Sequence, residues 1–239
     1  KFLEEGDLTE EEMLSGLKKA VCDGEVAPVC VCAATNNFGT AAVLDLINNF
    51  LPSPEEKEDL VATDKASGEP VERKQSMDEP FSALVFKTMA DPYAGRLTIF
   101  RVYNGKLDGD TFYNSTKDES ERFGQLYVLQ GKEQKPVDSA TPGMIVAVAK
   151  LKETVTGDTL CSQDNAIIID PPKAMAPVIS FAVSAKKGDE EKLFGSITKM
   201  LDEDLTLKLS REQLTKQVLI SGMGKVHLEV VGSRIRRKF

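Results

Sequence analysis

Residues 221–230 read "SGMGKVHLEV" and contain the only histidine of the chain, His227. Two glycines followed by an apolar-periodic run mark the start of a helix. Leu228, Val231 and Ile235 fall on one stripe at helical spacing, and Met223, Val226 and Val230 on a neighbouring one. His227 lies beside the second stripe. Glu229 belongs to another face, because helical residues two apart do not meet. A catalytic pairing of His227 with Glu229 is therefore not expected, and His227 reads as a structural or contact residue.

Working upstream, "VISFAVSAK" (178–186) reads as a strand and "GDEEKLFGSITKMLDED" (188–204) as a helix. "LTLKLS" (205–210) and "KQVLISG" (216–222) read as two more strands. Strand, helix, strand, strand, helix is a ferredoxin-like split βαβ whose final strand is expected beyond residue 239. Between 81 and 172 the period is two instead. "FSALVFKTMA" (81–90) reads as a strand, "DPYAG" (91–95) as a turn, and "RLTIFRVYNGKLDGDTFYN" (96–114) as a hairpin about Asn104-Gly105. "ERFGQLYVLQ" (121–130), "MIVAVAKL" (144–151) and "DTLCS" (158–162) follow as short strands. Such spacing without helices predicts a small closed β-barrel.

The front of the chain is different. "LTEEEMLSGLKKAV" (8–21) is a helix opened by a Thr9–Glu12 capping box, "APVCVCAA" (27–34) a short apolar run expected as a buried strand, and "TAAVLDLINNF" (40–50) a second helix. This is a fragment of an α/β layer with too few elements to stand alone. Residues 52–80 hold prolines and charges with little periodicity and read as a linker or excursion.

The 239 residues allow one large domain or two to three small ones. No apolar run approaches the roughly 20 residues needed to span a bilayer. The start is acidic, lacks an apolar core and lacks Met, which points to a piece of a longer protein rather than a secretory leader. Cys22, Cys30, Cys32 and Cys161 do not complete a zinc set, and the C-x-C lies in an apolar run. Buried reduced thiols, and with them a cytoplasmic location, are the expectation. The net charge of −8 is concentrated in residues 1–60, where 13 acidic and 4 basic groups leave the remainder near neutral. Residues 225–239 carry five cations against Glu229, a tail that could meet phosphate or simply complement its helix dipole. No G-x-x-x-x-G-K-[ST], G-x-G-x-x-G or G-x-S-x-G occurs, so neither catalytic nor metal residues are assigned.

The order of these parts resembles translation elongation factor G. "FLPSP" (50–54) is similar to the end of the family's GTPase domain, and "DPYAGRLTIFRVYNGKL" (91–107) to its barrel hairpin. "NST" (114–116) and "TGDTL" (156–160) match later barrel loops, "APVISFAV" (176–183) the first strand of domain III, and "ISGMGKVHLEV" (220–230) the family's "SGMGELHLE". The resemblance implies the C-terminal end of a GTPase domain at 1–51, a linker or excursion at 52–80, β-barrel domain II at 81–172 and ferredoxin-like domain III at 173–239. The phosphate loop, switches and Asn-Lys-x-Asp would lie upstream, so this chain alone is not expected to hydrolyse GTP. Its guanine-loop remnant would be Ala33, Ala34 and Thr35, of which only Ala34 matches.

GTP with Mg is implied for the full-length parent, and no cofactor for this piece. The implied partners are the ribosome, through rRNA and a small-subunit protein, and the remaining domains of the parent; neither membrane nor DNA is expected. Contact candidates are Gly222, Lys225 and His227 at the helix start and Arg96, Lys117 and Arg122 on the barrel. Two departures suggest a paralogue: Lys225 stands where the motif has Glu, and Leu205 and Leu207 where the family usually has Pro and Phe. Translocation and ribosome recycling both fit. So do a ribosome-protection or release-factor-type GTPase and a paralogue without GTPase activity that binds ribosome or RNA.

Overall fold

The computed structural model describes residues 6–91, 95–185 and 188–238. The chain divides into two compact units, 1–58 and 59–239.

In the first unit, α1 (Glu10–Cys22) begins at the expected capping box: the Glu12 amide donates to the Thr9 hydroxyl and Thr9 N–H to the Glu12 carboxylate. α2 is Thr40–Phe50, and the Cys22 thiol donates to the Phe50 carbonyl. The expected buried strand is absent. Residues 26–32 carry no strand pairing, Val29 and Val31 are 89% and 87% exposed, and Cys22, Cys30 and Cys32 are all exposed. A strand needs a neighbour to satisfy its N–H and C=O groups. Among the described residues of this unit, the only β-pairing is the bridge Ala33–Phe38. Cys161 alone is buried, as expected, in the second unit.

The second unit opens with a hairpin inside the stretch expected to be a linker or excursion. β1 (Leu60–Asp64) pairs with β2 (Pro70–Arg73), and later with the two-residue β11 (Ile167–Ile168). Ala62, Ile167, Ile169 and Leu84 form a small core beneath it, which makes a charged, proline-containing segment worth ordering. Pro70 is tolerated because it is the first residue of a strand at the sheet's edge.

The barrel region comprises β3 (Ser82–Asp91), β4 (Gly95–Asn104), β5 (Thr111–Asn114), β6 (Glu119–Arg122), β7 (Leu126–Gln130), β8 (Glu133–Val137), β9 (Ile145–Ala149) and β10 (Thr159–Cys161). They form one antiparallel sheet in the order β6-β5-β10-β3-β4-β9-β7-β8. The expected closure is not reached: among the described residues no ladder joins β6 to β8. Both edges carry charge, and β8 contains Pro136, which has no N–H to donate. Val85, Phe100, Val102, Phe112, Val146, Val148 and Leu160 fill the interior.

The expected hairpin about Asn104-Gly105 is also absent, since β4 pairs with β3 and β9 while β5 pairs with β10 and β6. Gly105 does have positive φ, +62°, but for another reason. A Cβ there would lie 2.4 Å from the Glu79 carbonyl, so glycine lets the chain leave the sheet against residues 79–81. Part of the expected turn at 91–95 lies outside the described residues.

β12 (Ile179–Val183), α3 (Glu190–Glu203), β13 (Lys208–Arg211), β14 (Val218–Gly222) and α4 (Lys225–Lys238) follow the expected split order. The antiparallel sheet runs β12-β14-β13, with Ile197 and Met200 of α3 and Leu228 and Val231 of α4 packed with Leu207 and Ile220. Of the two stripes on α4, the one holding Leu228 is buried, while Val226 and Val230 face solvent.

Candidate functional site

The residues expected to matter fall in three places: the start of α4, the barrel loops and the 33–35 loop of the first unit. At the start of α4, Gly222 ends β14 directly beneath the helix's first turn. A Cβ on it would lie 2.8 Å from Leu228 Cδ2 and 3.0 Å from His227 Nδ1, so the helix can sit this close only over a glycine. The His227 ring is held from both sides. Its Nδ1 accepts from the Met223 N–H at 3.1 Å, which puts the proton on Nε2, and Nε2–H donates to Asp204 Oδ2 at 3.0 Å.

Asp204, the residue after α3, also accepts the Thr206 N–H at 2.9 Å and the Thr206 hydroxyl at 2.6 Å. Partial burial pushes its carboxyl up, but the Thr206 donors and then His227 outweigh this and hold it below the usual carboxylate range. The ring thus joins the end of α3 to the beginning of α4. Lys225 is 73% exposed in its side chain and reaches Glu229 one turn on at 3.9 Å. A cation in the first turn opposes the helix dipole, so this pair offsets an unfavourable position.

On the barrel, Arg96 and Lys117 are drawn together by the loop 152–155. Arg96 Nη2 donates to the Thr154 carbonyl at 2.6 Å and Lys117 Nζ to the Glu153 carbonyl. The same loop's amides are taken by two carboxylates that the sequence reading did not single out. Glu121 accepts the N–H groups of Lys152, Glu153 and Thr154 at 2.8, 3.1 and 2.9 Å, together with the Thr154 hydroxyl. Burial raises the Glu121 pKa, but these donors outweigh it and leave the carboxyl below its ordinary range. Asp158 accepts the Val155 N–H and the buried Asn114 side-chain amide, both at 2.9 Å, with Lys117 Nζ 3.6 Å away.

"NST" and "TGDTL" therefore meet in space. Asn114 binds Asp158, the Ser115 amide donates to the Thr159 carbonyl at 3.0 Å, and the Thr159 amide to the Thr116 hydroxyl at 3.0 Å. They are mutual staples of the fold. Arg122 is apart from this cluster: its side chain is 78% exposed and pairs with Asp110 at 2.5 Å. Sequence signals exist for Asp158, within "TGDTL", and for Asp204, within "EDLTLKL" (203–209), the stretch that holds the departures at Leu205 and Leu207; Glu121 sits in no motif.

In the first unit, Ala33, Ala34 and Thr35 form a tight loop. Ala33 and Phe38 exchange both backbone hydrogen bonds, at 2.9 and 3.1 Å, and a one-turn 3₁₀ helix spans Ala34–Asn36. Asn37 and Gly39 take positive φ, and a Cβ at Gly39 would lie 2.8 Å from the Val31 carbonyl. The loop's own hydrogen bonds use the amides of Ala33, Asn36, Asn37 and Phe38, and among the described residues those of Ala34 and Thr35 meet no backbone acceptor. Among the described residues no group of three His, Cys, Asp or Glu is placed to hold a metal ion, and no helix is long and apolar enough to cross a membrane.

Comparison with known proteins gives two family matches. Residues 80–163 match the family model for elongation factor G domain 2, and residues 175–239 that for elongation factor G domain III. A crystal structure of a protein from Thermus thermophilus superposes with a TM-score of 0.80 at 28% identity. The match covers 99% of this chain and 33% of that one, so the chain spans about a third of that protein's length.

Proposed function

The chain belongs to the elongation factor G family, and from that premise we propose that it is part of a translational GTPase that binds the ribosome and couples GTP hydrolysis to movement or recycling of the ribosome. The observation that supports this most is the order of the two matched domains, 80–163 followed by 175–239, in one chain. In this reading the chain supplies contact and coupling rather than chemistry. The nucleotide, GTP with Mg, is the energy source of the parent protein. Of this chain's residues, the amides of Ala34 and Thr35, which the loop's own hydrogen bonds do not use, are the ones suited to hold a carbonyl of the base.

The start of α4 is the coupling element. Gly222, His227 and Asp204 fix its position relative to β14 and α3, so a push on the exposed Lys225 is transmitted to the whole of domain III rather than lost in a flexible joint. On the barrel, Arg96 and Lys117 shape the loop 152–155, and Arg122 is the most exposed of the three cations and the best placed for an RNA phosphate. Co-sedimentation of the full-length protein with ribosomes tests the reading. Retention that falls steeply with salt is expected for a contact made largely to phosphates; no retention at any salt concentration contradicts it.

A further inference from the structure

We draw no further inference here: the strongest candidate, the apolar groove in domain III lined by Phe181, Leu193, Ile197, Val231 and Ile235 beside the free edge of β12, carries nothing because nothing in the structure shows what covers it.

Discussion

His227 is a histidine whose two ring nitrogens are both committed, one accepting from the Met223 amide and one donating to Asp204. That leaves no lone pair or proton free for a substrate, and it gives two predictions at this scale. Replacing His227 by Ala removes both bonds and leaves the Met223 amide and the Asp204 carboxylate short of a partner. A loss of about 1–3 kcal/mol is expected in denaturant unfolding of domain III; a loss under roughly 0.5 kcal/mol would mean the ring holds nothing together.

Gly222→Ala is the second. The new methyl would meet Leu228, which is 4% exposed and cannot swing aside freely, so a cost of about 1–3 kcal/mol is expected. Equal stability of variant and wild type, measured the same way, would contradict the close approach of helix and strand. The stripe that His227 adjoins, Met223, Val226 and Val230, does not explain its role, because Val226 and Val230 face solvent; the ring is held by polar partners instead. Its partner is out of reach in the sequence, because Asp204 lies 23 residues away and nothing in the "EDLTLKL" stretch that contains it points to the histidine.

Among the elements, the loop 152–155 gives the sharpest test, since one carboxylate holds three of its consecutive amides. Glu121→Ala is expected to lower stability by about 1–3 kcal/mol. The sign of its pH dependence follows from the direction of the shift. A carboxyl held below its ordinary 4.5 stabilises the fold fully above that pH and loses its contribution as pH falls through the lower folded value. The gap between wild type and variant should therefore be full at about pH 7 and shrink below pH 4.5, read from urea midpoints across that range. A gap that stayed constant, or grew in acid, would contradict the assignment.

Elements whose determinants are local are legible in the sequence: the capping box at Thr9, the Leu228 stripe of α4, and the strand and helix order of domain III. Those that depend on distant neighbours are not. Residues 27–34 have the composition of a buried strand but, among the described residues, no strand beside them, and Asn104-Gly105 has the composition of a hairpin turn but flanks strands that pair elsewhere. The hairpin β1–β2 is hidden because its core-facing residues, Leu60, Ala62 and Val71, are few and set among charges; the later chain at Ile167 and Ile169 completes their core.

At the scale of the whole molecule, domain III acts in this proposal as a rigid lever with Lys225 at its exposed corner. Lys225→Glu should leave stability within about 0.5 kcal/mol, because the repulsion it creates with Glu229 is offset by a better match to the helix dipole. Any change in activity would then report on a contact rather than on folding. The measurement that tests the central claim most directly is the rate of GTP hydrolysis by the full-length protein with and without ribosomes, for wild type and Lys225→Glu. The expected result is strong stimulation by ribosomes in the wild type and an altered stimulation, with an unaltered rate in their absence, in the variant. Hydrolysis that ribosomes leave unchanged, in a protein that binds GTP, would contradict it.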